Sequence, residues 1–112
     1  MVHNAIAAAE KLKKDGIQAT VIDALCVKPL DRDLILSCAG RTGAVVTCEN
    51  HQIDGGLGMA VTKLLASECP GCRIGYIGID DRFGQVGTVD YLVGEYNLGP
   101  DDICAKVRSI LK

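Results

Sequence analysis

The residues able to do chemistry gather in the middle of the sequence. Glu49 and His51 stand two apart, a carboxylate and an imidazole that could serve as acid and base or orient one another. The run Gly55-Gly56-Leu57-Gly58 could cradle an anion, because glycines let backbone N–H groups approach a phosphate at the positive end of a helix. Cys69-Pro70-Gly71-Cys72 has the two-residue spacing of thiol–disulfide and zinc motifs.

Each cluster has a plainer reading beside the chemical one. No nucleophile accompanies Glu49 and His51, and the sequence has no Gly-x-Ser-x-Gly elbow, no phosphate-loop lysine and no run of metal ligands. A hydrogen-bonded pair at an interface is the reading we favour for them. The glycine run stands too far beyond its strand for a dinucleotide turn, which follows its strand directly. Asp80, at the end of the next strand, keeps a nucleotide- or phosphate-binding module open as an alternative; otherwise the glycines serve close packing. A redox Cys-x-x-Cys opens a helix, whose dipole lowers the thiol pKa, whereas Cys69 and Cys72 follow a helix and precede a strand. Zinc would need two further ligands, and His51 lies a whole helix away. An inert turn is expected, with a redox pair as the alternative. His3 has no partner in the sequence and reads as a surface or packing residue. We therefore expect no catalytic, cofactor-binding or metal-binding residue in this chain.

The elements that must position these residues follow from periodicity. Val2, Ala5, Ile6, Ala9 and Leu12 make a helical stripe that Lys13-Lys14-Asp15-Gly16 ends. No N-cap residue precedes Val2, and an α/β domain ordinarily opens with a strand, so the amino end reads as cut within a larger unit. Ile17 to Leu25 is rich in β-branched and apolar residues and predicts a buried strand centred on Thr20-Val21-Ile22. Pro29-Leu30-Asp31 opens a second helix that Gly40 can close. Ala44 to Cys48 has the near-continuous apolar pattern of a strand covered on both faces, with Glu49-Asn50-His51-Gln52 at its carboxyl end. A helix carrying Leu57, Ala60, Val61, Leu64 and Leu65 leads to a strand over Arg73 to Ile79. Two helices finish the chain, one near Thr88 with Val89, Leu92, Val93 and Tyr96 inward, the other from Gly99-Pro100-Asp101-Asp102 with Ile103, Val107, Ile110 and Leu111 inward. The alternation predicts a three-layer α/β/α domain with a mostly parallel sheet, occupying residues 1–112 and incomplete at its amino end.

Composition narrows the function classes. A chain of 112 residues with 48% hydrophobic and 23% charged residues suits one globular core. Its net charge of -2, with both signs interspersed, gives no footprint for nucleic acid or an anionic membrane. The six cysteines are not needed as a disulfide frame, since Cys38, Cys48 and Cys104 fall among apolar residues on regular elements; a reducing cytoplasm is expected.

Segments in a fixed order carry a family resemblance: Val27-Lys28-Pro29-Leu30-Asp31, then Val45-Val46-Thr47-Cys48-Glu49-Asn50-His51, then Gly55-Gly56-Leu57-Gly58-Met59-Ala60-Val61. Gly78-Ile79-Asp80-Asp81-Arg82-Phe83-Gly84-Gln85-Val86-Gly87 and Tyr96-Asn97-Leu98-Gly99-Pro100-Asp101-Asp102-Ile103 extend it over nearly the whole chain. Together they resemble the carboxy-terminal domain of the transketolase family, the split kind most closely. Domains of 1-deoxy-D-xylulose-5-phosphate synthases and of 2-oxo acid dehydrogenase β subunits share part of the pattern but differ around Phe83 to Gly87. Asn50 and Asn97 depart from the usual acid and glycine. The resemblance implies a scaffolding and assembly domain that is inactive alone. Its parent would be a homodimeric, cytoplasmic transferase of the pentose phosphate pathway, moving two-carbon ketol units between sugar phosphates. Thiamine diphosphate and Mg2+ would be held by the amino-terminal and pyrimidine-binding domains or subunit. It also implies strands ahead of Val2, one of them central to the sheet.

Overall fold

The computed structural model describes all 112 residues. In chain order they form α1 (Val2–Lys14), α2 (Arg32–Thr42), β1 (Ala44–Gln52), α3 (Leu57–Glu68), β2 (Arg73–Ile79), α4 (Val89–Glu95) and α5 (Pro100–Leu111). The local reasons are legible in the residues. Asp31 caps α2, its side chain accepting a hydrogen bond from Leu34 N at 3.1 Å, and Gly43, in the left-handed conformation, ends it. Helix α2 thus begins at Arg32 and not at Pro29, and runs past Gly40; Pro29 itself follows a cis peptide bond in the approach. Thr88 caps α4 by accepting from Tyr91 N, and Asp102 accepts from Gly99 N to brace the start of α5.

Strands β1 and β2 pair in parallel, Ala44 opposite Arg73 through Cys48 opposite Ile77, with an irregularity between Cys48 and Gln52. Alternation along the strands sorts the core into two layers. Val46, Cys48, Ile77 and Ile79 face α1 and α5, meeting Ala8, Leu12, Ile103 and Cys104. Val45 and Ile74 face α2 and α3, meeting Ile35, Ala39, Val61 and Leu65. The expected three-layer α/β arrangement with a parallel sheet is what the chain adopts.

One expected strand does not form. Residues 17–25 run through the sheet layer without regular secondary structure, and most of their side chains are exposed. The composition favours a strand, but a strand exists only where a neighbour supplies its ladder. None of the amides from Gln18 to Ala24 donates to another backbone group; the flanking Ile17 N reaches Leu12 O and Leu25 N reaches Asp23 O. Between this segment and the unpaired edge of β1 lies a slot of about 330 Å³, lined mainly by apolar side chains of both layers. Thr47, 5% exposed on its wall, has a hydroxyl with no hydrogen-bond partner.

Cys48 lines the same slot. Burial pushes its thiol up to about 11 from the ordinary 9.0, opposed by the Met1 amine and reinforced by Glu49. A thiol with a raised folded-state pKa holds its proton more tightly folded than unfolded. The stability this confers is complete below pH 9 and is lost as pH rises towards 11. We expect the urea-measured stability of the natural chain, relative to Cys48→Ala, to fall by about 2–3 kcal/mol across that window.

Candidate functional site

The carboxyl end of the sheet brings together Glu49, the glycine-rich turn into α3 and the loop that leaves β2. Glu49 ends the apolar part of β1 on the α3 face and is only 8% exposed. Its two carboxylate oxygens reach across to the start of α3, Oε2 accepting from Leu57 N at 2.8 Å and Oε1 from Gly58 N at 2.9 Å. These are charge-assisted bonds at the positive end of a helix, where an anion is most strongly held. The glycine turn is therefore an anion cradle, and its anion is Glu49.

Space enforces this arrangement. A Cβ on Gly56 would overlap Glu49 Oε2 and lie 2.8 Å from Gln52 O, and one on Gly58 would sit 2.9 Å from Tyr76 Cδ1 and 3.1 Å from Glu49 Oε1. Gly56 has an extended backbone that any residue adopts, so glycine is required there for room alone. A diphosphate does not fit the turn, because the Glu49 carboxylate already fills the donors it would need. This overturns the nucleotide alternative at Gly55 to Gly58.

Glu49 and His51 do not form the expected pair. His51 is exposed and its Nδ1 lies 2.7 Å from Gln52 O, while both oxygens of Glu49 point into the helix. The irregularity between Cys48 and Gln52 separates their directions. His3 is exposed on α1. Cys69 and Cys72 flank a tight turn in which Cys72 N donates to Cys69 O at 3.2 Å and Gly71 takes φ +93°, a conformation that glycine permits. Burial raises the Cys72 thiol above its ordinary pKa, with Cys69 adding to the shift, which disfavours the reactive thiolate.

A residue whose role the sequence hid is Tyr96. Its ring is buried, 7% exposed, yet its hydroxyl accepts from Gln85 N at 2.7 Å and lies 3.4 Å from Phe83 O. The guanidinium of Arg82 stacks 4.6 Å from the Tyr96 centroid and donates to Glu95 O at 2.6 Å. The sequence placed Tyr96 on an inward helical stripe; only the fold shows that its hydroxyl fastens the loop over residues 80–88. Val89, expected inward on the same stripe, is 75% exposed. A polar cleft beside this loop is lined by Tyr76, Asp80, Asn97 and Lys106 among others. No helix of the chain is long and apolar enough to cross a membrane.

Comparison with known proteins agrees with this architecture. Residues 1–103 match the family described as the transketolase C-terminal domain. A 6-deoxy-6-sulfo-D-fructose transketolase subunit from Clostridium sp. (strain MSTE9) is 43% identical over 110 residues, covering 98% of this chain and 34% of that protein. The 1-deoxy-D-xylulose-5-phosphate synthase 1 of Geobacter sulfurreducens is 43% identical over 108 residues, 96% of this chain and 17% of that protein. Among solved structures, a chain described as a split gene transketolase, inactive beta4 tetramer, superimposes with a TM-score of 0.92 at 40% identity, covering 98% of this chain and 36% of the other. The chain thus spans about a third or less of the length of these relatives.

Proposed function

The chain belongs to the transketolase C-terminal domain family, and from that membership we propose that it is the scaffolding and assembly section of a transketolase that moves two-carbon ketol units between sugar phosphates. The observation that carries this reading is Glu49. The one buried carboxylate at the carboxyl end of the sheet is turned onto two backbone amides at the positive end of α3, bonds that favour its ionised form and hold it away from solvent. Thiamine diphosphate and Mg2+, where present, are held by polypeptide outside these residues, in an enzyme of homodimeric, cytoplasmic type.

The same reading accounts for the slot beside β1. A strand from outside the 112 residues would pair with the backbone of both unpaired walls and complete the sheet.

The test mixes the purified chain with ketose and aldose phosphates, thiamine diphosphate and Mg2+. No turnover is expected from the chain alone, and turnover is expected once the amino-terminal portion is supplied. Turnover by the isolated chain would sink the proposal. The equal 43% identity to a 1-deoxy-D-xylulose-5-phosphate synthase favours a second reading, in which the parent is of that type. Assaying the assembled enzyme for 1-deoxy-D-xylulose 5-phosphate decides between them.

A further inference from the structure

The loop over residues 80–88 holds its apolar side chains away from the protein. Phe83 is 99% exposed and Val86 101%, with Val89 at 75% close by. A slack loop would fold such side chains onto the nearest apolar surface. This loop is prevented from doing so on its inner side. Gln52 Nε2 donates to Arg82 O at 3.3 Å, Gln85 N donates to the Tyr96 hydroxyl at 2.7 Å, and Gln85 Oε1 accepts from the Tyr91 hydroxyl at 2.8 Å. Gln85 Nε2 closes the set on Glu95 Oε1 at 3.1 Å. The Arg82 carbonyl and the Gln85 backbone and side chain are thus tied to the protein, while Phe83 and Val86 stand clear of it.

We propose that Phe83 and Val86 form a preorganised knob that docks into an apolar socket on the part of the enzyme outside these 112 residues. Fixing the backbone beforehand removes ordering cost from the contact, and an aromatic anchor in a pocket is how interfaces concentrate their affinity. Charge defines the rim of the socket. Arg82 is turned back onto Glu95 at 3.6 Å, while the exposed Asp81 and Asp90, on either side of Phe83 in the sequence, have no ion-pair partner, so the unpaired charge flanking Phe83 is negative. The socket is therefore rimmed by lysine or arginine, and an anionic membrane is a poor match. Relatives of which this chain covers 34% and 17% have ample polypeptide to supply it. The inference rests on the assembly reading above, but not on which reaction the enzyme performs.

The experiment places the photo-crosslinker p-benzoylphenylalanine at position 83 of the complete enzyme. Irradiation is expected to join it to residues outside 1–112, beside a basic side chain. A crosslink to a second copy of residues 1–112, to lipid, or to nothing would overturn the proposal. As a second measure, Phe83→Asp is expected to speed amide exchange of residues 82–87 at least tenfold in the assembled enzyme, with α3 and β2 unchanged and Phe83→Leu close to the natural protein. Unchanged loop exchange in Phe83→Asp would also overturn it. An outside crosslink in an enzyme without ketol transfer would leave the docking standing and remove the transketolase reading, so the two can fail separately.

Discussion

Replacing Glu49 with alanine is expected to destabilise the chain by about 3 kcal/mol, among the largest effects of any single polar substitution here. Two charge-assisted hydrogen bonds disappear at once, and the amides of Leu57 and Gly58 are left without partners, the second of these bonds being fully buried. The favourable field of the α3 terminus on a carboxylate is lost as well. Glu49→Gln keeps one acceptor oxygen but gives up the charge and offers the helix an N–H where it needs an acceptor. It should recover less than half of the loss. Equilibrium urea unfolding of the three proteins checks the order, and a Glu49→Ala chain as stable as the natural one would contradict the cradle.

Gly56→Ala adds a single methyl group and is expected to cost about 3 kcal/mol, at the upper end for overpacking. The new Cβ overlaps Glu49 Oε2 and presses on Gln52 O at 2.8 Å, a backbone atom with little room to move. Part of that cost runs through Glu49, so the two substitutions are coupled. In a Glu49→Ala background the carboxylate has gone and only the clash with Gln52 O remains. The double variant should be more stable than the sum of the single effects predicts, by about 1 kcal/mol or more. Strict additivity would mean that the carboxylate does not occupy the turn.

These two residues also show what the sequence could and could not disclose. The periodic stripes of α1, α3 and α5 and the apolar run of β1 were readable because helix and strand periods are local properties. The joining of Glu49 to Leu57 and Gly58 is a tertiary contact whose only local signal is a glycine-rich helix start lacking a side-chain cap, with an acid eight residues before Leu57 and nine before Gly58. A helix end with no cap of its own needs an anion, and the protein's own carboxylate is the nearest one. The segment from Ile17 to Leu25 lacks its expected ladder for a different reason. Its β-branched residues state a preference for extended backbone, but a ladder is a property of two segments, and no single stretch of sequence can declare its neighbour. Tyr96 shows the same limit for side chains, since an inward-facing aromatic ring says nothing of where its hydroxyl ends.

The pairing of α1 with α5 carries a consequence for how the domain comes into being. The Asn4 amide reaches Leu98 O across 94 residues, Cys104 reaches Ala8 O across 96, and the ion pairs Lys11–Asp101 and Arg108–Asp15 span 90 and 93. Helix α1 thus has its partner in α5. During synthesis α1 emerges before the elements that lie between it and α5, so its docking waits until α5 has been made. Contacts this distant in sequence raise the contact order of a small α/β domain and slow its folding accordingly. A ribosome stalled before α5 should therefore present a nascent chain whose α1 is open to chaperones and proteases, and emergence of α5 should close it.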